Sequence, residues 1–228
     1  MRRGDSPVAE PPREWFARPT EEVARDLVGC VLIVDAGTAS AVVARIVETE
    51  AYLGLSDPAS HAYRGPTPRA RVMFGPAAHL YVYFTYGMHF CANVVTEPDG
   101  VAGAVLLRAA AVEEGTTVVS ARRGEAVAVA ALLRGPGNLC RGLGISRADD
   151  GIDLLDPGSR IHIEQRPDMP PVAVGTRVGI RQAADRLLRF RWLGDPAVSR
   201  PVPRGAAEHL QNEETERTER PGKEKGPD

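Results

Sequence analysis

Val47-Glu48-Thr49-Glu50-Ala51-Tyr52 opens, and Leu80-Tyr81-Val82-Tyr83-Phe84-Thr85-Tyr86-Gly87-Met88 closes, the stretch of residues 46–93 whose reading decides the fold. It holds all five tyrosines, Tyr52, Tyr63, Tyr81, Tyr83 and Tyr86, in a chain that is only 5% aromatic. Core building would spread such rings along the sequence. Crowded beside carboxylates and a histidine, they suggest a pocket that stacks a planar ligand and does acid–base chemistry on it. The rough alternation over residues 42–52 predicts a strand, which puts Ile46, Glu48, Glu50 and Tyr52 on one face. Residues 80–95 read as a β-hairpin with its bend near Tyr86-Gly87, Tyr81 and Tyr83 on one face, and Val82 and Phe84 packed inward. Between them, residues 53–78 form a long loop punctuated by Gly and Pro, and loops of that length are often functional.

Outward from this stretch the elements are shorter. Residues 1–13, rich in Pro and Arg, read as disordered. Thr20 looks like the N-cap of a helix that runs to about Val28 and stops at Gly29. Strands are expected at 31–34, 104–109, 160–165, 177–180 and 188–193, and helices at 120–133 and 138–143. The body of the protein spans residues 14–204. From Gly205 the chain carries seven acidic and four basic residues and no apolar period, the signature of a disordered tail.

The 228 residues suffice for a sizeable core, and the 43% hydrophobic and 25% charged fractions are those of a soluble globular protein. No apolar run is long enough to span a membrane, and the N-terminus lacks the apolar core of a secretory signal. Cys30, Cys91 and Cys140 form no CxxC pair and read as buried reduced thiols of an intracellular protein. Lys223 and Lys225 are the only lysines, which argues against Schiff-base chemistry in the folded body. The net charge of −2 is concentrated in the tail and leaves the rest near +1. Arg64, Arg69, Arg71, Arg108, Arg122, Arg123, Arg134 and Arg141 could form a local basic patch, although charge alone favours a set of ordinary solvated arginines.

Glu50 is the leading catalytic candidate, because a carboxylate beside aromatic rings can activate water or stabilise a sugar cation. Glu48 sits two residues away and could pair with it as in a carbohydrate hydrolase. His61 could donate to a ligand or stack on it. His79 and His89 flank the hairpin, and the five histidines show no metal-ligand spacing. Tyr86, at a hairpin bend, suits insertion between base steps, and Asn93 on the return strand could read a base edge.

Taken in order, these residues resemble the alkyladenine (3-methyladenine) DNA glycosylase family. The matching text is residues 45–54, then 57–61, Thr67-Pro68-Arg69, Met73-Phe74-Gly75-Pro76, residues 80–83, Tyr86-Gly87-Met88 and Val105-Leu106-Leu107-Arg108. Weaker echoes are Arg18-Pro19-Thr20, Gly135-Pro136-Gly137-Asn138-Leu139-Cys140, Arg177-Val178-Gly179-Ile180 and Arg189-Phe190. The resemblance covers about residues 14–202. It implies a single mixed α/β (α+β) domain around a curved, largely antiparallel sheet with a protruding hairpin. It implies that Glu50 activates water, that Arg108 helps hold it, and that the flipped base lies between Tyr52 on one side and His61 and Tyr83 on the other. Tyr86 would wedge into the minor groove, and Asn93 would crowd the amino group of normal guanine. It implies a monofunctional hydrolase without metal, other cofactor or covalent intermediate, acting as a monomer on duplex DNA with alkylated or deaminated purines, in the cytoplasm or nucleoid of a bacterium.

Cationic alkylated purines would gain from attraction to the tyrosine faces. Neutral hypoxanthine would need its leaving group protonated, and no clear acid stands out. Ala70 replaces a residue that is polar in many relatives, Asn138 stands where lysine is common, and residues 181–188 lack the usual tryptophan. A non-catalytic nucleic-acid-binding module would not need Glu50 and Arg108 together, and a carbohydrate hydrolase would not explain Tyr86 at a hairpin tip.

Overall fold

The computed structural model describes residues 10–166, 169–199 and 209–210. In chain order these form α1 (Arg13–Phe16), α2 (Thr20–Asp26), β1 (Val31–Val34), β2 (Val42–Tyr52), β3 (Leu80–Thr85), β4 (His89–Val95), β5 (Ala104–Glu114), α3 (Thr116–Arg123), α4 (Pro136–Leu143), β6 (Ile161–Glu164), β7 (Val172–Gly175), β8 (Arg189–Trp192) and β9 (His209–Leu210). The fold is mixed α/β, built on a curved sheet whose strand pairings among the described residues are all antiparallel. The main path runs β3-β4-β5-β2-β8-β7-β9. β1 and β6 branch from it, because β2 pairs with β1 over residues 42–45 and with β8 over residues 48–50.

β2 departs from simple alternation at the point that matters. Ile46 pairs with Ala110, Glu48 with Ala109 and Thr49 with Leu107, so Val47 is an extra residue on β2 and Arg108 an extra residue on β5. Each insertion switches which face the following side chains take. Ala44 and Ile46 enter the main core before the bulge. After it Ala51 does so, and the Thr49 hydroxyl donates to the Ala24 carbonyl of α2 at 2.6 Å. Ile46 therefore does not share a face with Glu48, Glu50 and Tyr52, contrary to the alternation argument.

The main core lies between the sheet and the helices. Phe16 and Val23 from α1 and α2, Leu27 just past α2, and Leu139 and Leu143 from α4 meet Leu80, Val82, Val94, Val105 and Leu107 from the strands. A second cluster of Ala62, Ala70, Met73, Tyr81, Val95, Ala102 and Ala104 pins the 53–78 loop to the sheet. Ala70 is fully buried there, in a place that suits a small apolar side chain. The loop also contains two 3-10 turns, Gly54–Ser56 and Arg71–Phe74.

The hairpin forms as expected, with Thr85 opposite His89 and left-handed backbone at Tyr86 (φ 51°) and Gly87 (φ 67°). Positive φ at successive residues fits the right-handed twist of paired strands. Phe84 is a correction. It is 48% exposed and lies outside the core clusters, its ring meeting Phe90 at 5.1 Å between ring centres, because the hairpin has risen clear of the core at that point.

Other boundaries shift for local reasons. Thr20 is not an N-cap; Pro19 holds that position, and the Thr20 hydroxyl donates to Glu97. Glu97 also accepts the Thr20 N–H at 2.7 Å and so caps the helix from a distant loop. α3 starts after Gly115 and ends at Gly124, both with positive φ, so residues 125–128 are not helical and Val129–Ala131 is a 3-10 turn. β5 runs on to Glu114, and β7, absent from the expected strands, pairs with β8. Residues 177–180 form no strand. Of the two expected disordered ends, residues 1–9 lie outside the described residues. So does the tail from 205, apart from His209–Leu210, which pair with β7. The three cysteines are buried and unpaired. Among the described residues no helix is long and apolar enough to cross a membrane.

Gly54 and Gly65 separate two costs of a side chain in the loop. Both have positive φ, but a Cβ at Gly65 meets open space, whereas one at Gly54 would lie 2.0 Å from the Ala102 carbonyl oxygen. Gly65→Ala is expected to lose about 1–2 kcal/mol from backbone strain alone. Gly54→Ala should lose clearly more and loosen the loop. Urea unfolding of the two variants checks this, and equal losses would show that the Gly54 contact relaxes freely.

Candidate active site

The paired bulges bring Glu48, Glu50 and Tyr52 from β2 against Arg108 from β5. Both glutamates are completely buried. Buried charge is tolerated only when paired and hydrogen-bonded, and every group needed arrives from a different element. Arg108 donates from Nε to Glu48 at 3.0 Å, and its Nη1 lies 3.3 Å from Glu50. Arg189 of β8 donates to Glu48 at 2.6 Å, and the Ser199 N–H donates to its other oxygen at 2.6 Å. The Ser199 hydroxyl accepts from Arg108 Nη2 at 3.2 Å.

The two carboxylates end up in different electrostatic states. Burial raises the Glu48 pKa, but Arg108, Arg189 and the Ser199 bonds outweigh it and hold the carboxyl below the ordinary range. For Glu50 burial wins over Arg108, the Val178 N–H and the Tyr52 hydroxyl, and its pKa is raised. Arg108, although burial opposes its charge, is held more firmly protonated by Glu50 and Glu48. Opposite shifts in neighbouring carboxyls are how a site divides tasks between them.

A cavity of about 230 Å³ opens beside Glu50. Tyr52, His61, Tyr81, Tyr83, Asn93 and Arg108 line it, and Tyr86 stands at its edge on the hairpin tip. Glu50 lies just behind this lining, bonded to three of the residues that form it. Tyr52 donates to its Oε2 at 3.0 Å, Val178 N–H to its Oε1 at 2.7 Å, and Arg108 supplies the third contact. Glu48 has no share in the lining. It touches the lining only through Arg108, whereas Glu50 also meets Tyr52 and Val178, and the other contacts of Glu48 are Arg189 and the Ser199 N–H.

The aromatic wall is tightly ordered. His61 meets Tyr83 edge-on at 4.5 Å between ring centres, and its Nδ1 is hydrogen-bonded to the Tyr81 hydroxyl at 2.9 Å. His61 as a residue is exposed, but this bonded edge is enclosed, and burial together with Arg69 lowers its pKa to about 4. It is neutral at pH 7. Asn93 donates its amide to the Tyr81 carbonyl at 3.0 Å, which fixes its orientation. At the tip, Tyr86 is 80% and Met88 70% exposed, large apolar surfaces with no intramolecular use.

The structure thus gathers Glu50, Arg108, Tyr52, His61, Tyr83, Asn93 and Tyr86 around one cavity. Sequence reasoning missed what stands behind them. Arg177 and Asp57, both with fully buried side chains, form a bidentate pair, and Arg177 also donates to the Ala51 carbonyl at 2.9 Å. Asp57 accepts the Leu53 and Ala59 N–H groups as well, so one ion pair anchors the start of the loop and the segment that presents Val178. Both residues sit in motifs quoted above, but nothing in their spacing shows that they meet. Of the arginines suggested as a basic patch, Arg64, Arg69, Arg71 and Arg141 are exposed, Arg122, Arg123 and Arg134 are half-buried, and Arg108 is buried in the site. Asn138 donates to the Arg134 carbonyl at 2.8 Å. Among the described residues no group of three or more His, Cys, Asp or Glu is placed to hold a metal ion.

Comparison with known proteins gives a consistent answer. Residues 14–196 match the methylpurine-DNA glycosylase family. A protein of Mycobacterium sp. (strain KMS) is 51% identical over 181 residues, covering 77% of this chain and 86% of the relative. One from Mycolicibacterium paratuberculosis (strain ATCC BAA-968 / K-10) is 50% identical over 183 residues, covering 78% and 86%. Both are provisionally named 3-methyladenine DNA glycosylases. A match over most of the chain, with relatives at half identity, leaves one conclusion: the chain belongs to the methylpurine-DNA glycosylase family.

Proposed function

We propose that the protein is a monofunctional DNA glycosylase that flips alkylated or deaminated purines out of duplex DNA and hydrolyses the N-glycosidic bond with water activated by Glu50. The observation that carries this reading is Glu50 itself: a fully buried carboxylate with a raised pKa, fixed by three donors directly behind an aromatic cavity. A base in duplex DNA must leave the stack before its glycosidic bond can be attacked. The exposed Tyr86 ring is the group to fill the gap, and Tyr52, His61 and Tyr83 receive the extruded purine. Asn93, locked on Tyr81, narrows the space open to an exocyclic amino group. Glu50 accepts a proton from water as the oxygen bonds to C1′ of the sugar and the C1′–N bond breaks with its electron pair going to the base. A cationic alkylpurine leaves neutral, and a neutral purine leaves as an anion that takes a proton from solvent. Arg108 stabilises the carboxylate and the water site. The product is a free base and an abasic sugar. Residues 10–199 contain no lysine to form a Schiff base with that sugar, which fits hydrolysis without strand cleavage. We further propose that the protein acts as an intracellular monomer from the minor-groove side.

Glu50→Gln is expected to lower single-turnover excision of hypoxanthine from a duplex by about 10²–10⁴-fold, with binding of the same duplex within about threefold. Excision within tenfold of the parent would remove Glu50 from the mechanism.

The base form of Glu50 is the active one. Because burial places its pKa above the ordinary value of 4.5, excision should rise with pH along an acid limb lying above that value. A rate that is flat through this range, or that falls as pH rises, would contradict the assignment.

Tyr86→Ser should weaken lesion binding by about 1–3 kcal/mol, the worth of one stacked ring. An unchanged melting temperature should accompany it, since the ring is exposed. Gel-shift titration and thermal melting read the two quantities, and unchanged affinity would rule out the wedge.

Glu48→Gln should lower stability by about 3–5 kcal/mol, as breaking a buried ion pair does. The folded pKa of Glu48 is depressed, so its stabilisation is present above the unfolded carboxylate pKa and fades as pH falls through the folded value. The difference between parent and variant in urea should therefore shrink towards low pH. A difference that is constant with pH would show that Glu48 contributes shape rather than charge.

A further inference from the structure

Two cavity tyrosines carry a guanidinium on one face. The Arg177 Cζ lies 4.7 Å from the centre of the Tyr52 ring, and the Arg69 Cζ lies 5.1 Å from the centre of the Tyr83 ring. Neither arginine is among the residues that line the cavity, but each acts on residues that do: Arg177 on Tyr52, and Arg69 on Tyr83, on His61 and on the Tyr81 hydroxyl. These are the two tyrosines proposed to enclose the extruded base. Around the site four guanidiniums, Arg69, Arg108, Arg177 and Arg189, face three carboxylates, Glu48, Glu50 and Asp57. The three carboxylates are matched by Arg108, Arg177 and Arg189, and Arg69 pairs with none of the three.

An aromatic face attracts a cation through its negative quadrupole. A guanidinium already over the ring uses that attraction and leaves the ring poorer for a second cation. It also repels that cation directly across a site with little water. A neutral ring stacks without either loss.

Resting on the glycosylase reading above, we infer that Arg69 and Arg177 are specificity-determining residues that set the site against positively charged bases and in favour of neutral purine lesions. Cationic alkylpurines leave largely through their own lability, and the site's stacking walls act most strongly on neutral purines of the hypoxanthine kind. This reverses the expectation that cation attraction favours alkylated bases in this cavity.

Arg69 carries the test because it is exposed, whereas removing Arg177 would strand Asp57 in the interior. Two duplexes of one sequence carry a single hypoxanthine or a single 7-methylguanine at the same position. For each, the single-turnover rate is divided by the spontaneous rate of release, and the neutral-to-cationic ratio of these accelerations is taken. Both rates come from one protein preparation, so the active fraction and any Arg69 contact with the DNA backbone cancel. Arg69→Gln is expected to lower the ratio by roughly 3- to 30-fold, and Arg69→Lys, which keeps the charge, to hold it within about twofold. An unchanged ratio in Arg69→Gln overturns the inference, as does an equal change in Arg69→Lys. If the unaltered protein releases neither base, the glycosylase reading fails and the inference with it. Release of both bases with a ratio indifferent to Arg69 leaves that reading standing and removes only the inference.

Discussion

Two carboxylates two residues apart, both fully buried in one strand, are the constraint around which this protein is organised. A lone ionised carboxylate inside a protein costs several kcal/mol. Here two are accommodated because Arg108 lies between them and touches both. Arg108 reaches that place as the extra residue of a bulge on β5, opposite the bulge that puts Val47 on the other face of β2. The remaining lone pairs draw in Arg189, Ser199, Val178 and Tyr52. These groups span residues 52–199, so satisfying the pair fixes how the segment 178–199 lies against the middle of the sheet.

The same environment separates the two acids. Glu48 receives two guanidiniums and a backbone amide and is held ionised away from the cavity. Glu50 shares one guanidinium, meets otherwise neutral donors, and sits against the cavity with its pKa raised. Identical side chains two positions apart therefore become an ionised anchor and a carboxyl with a raised pKa at the cavity wall. The anchor matters to Glu50 because it holds Arg108, which contacts both. In turn Arg177 and Asp57 set the place of Val178 and the Tyr52 ring, which are two of the three contacts on Glu50.

Much of this was legible in the sequence. The strand at residues 42–52, the hairpin with its bend at Tyr86-Gly87 and the gathering of rings all follow from local pattern, and local pattern survives folding. The bulges did not show, because an inserted residue is visible only against the partner strand. Ile46 was placed on the wrong face for that reason. Phe84 looked like a core residue because alternation cannot tell how far a hairpin projects beyond the body. The 177–180 stretch read as a strand, yet the Val178 N–H is committed to Glu50 rather than to a ladder. Its partner lies 128 positions away, beyond any periodicity. Residues 125–128 read as helix, but Gly124 with φ 109° ends α3 before them. The resemblance located the cavity residues as a set; it could not show the ion pair behind them.

A projecting hairpin must also be kept from bending away or pairing with another sheet edge, since β3 is the outer strand of the main path. Its anchor is at Val82. The Val82 N–H donates to the Asp150 carboxylate at 2.8 Å, and Arg147 donates to the Val82 carbonyl at 3.0 Å. Leu80 exchanges backbone bonds with the same stretch, donating to the Ile152 carbonyl and accepting from the Gly151 N–H. The edge groups nearest the body are thus occupied by residues 147–152, while Phe84, Tyr86 and Met88 beyond them stay free. On the other side of the strand Tyr81 binds His61 and Asn93, so the clamp that steadies the hairpin also steadies the cavity wall. The tip that would enter DNA and the wall that would receive a base are therefore two ends of one braced strand pair.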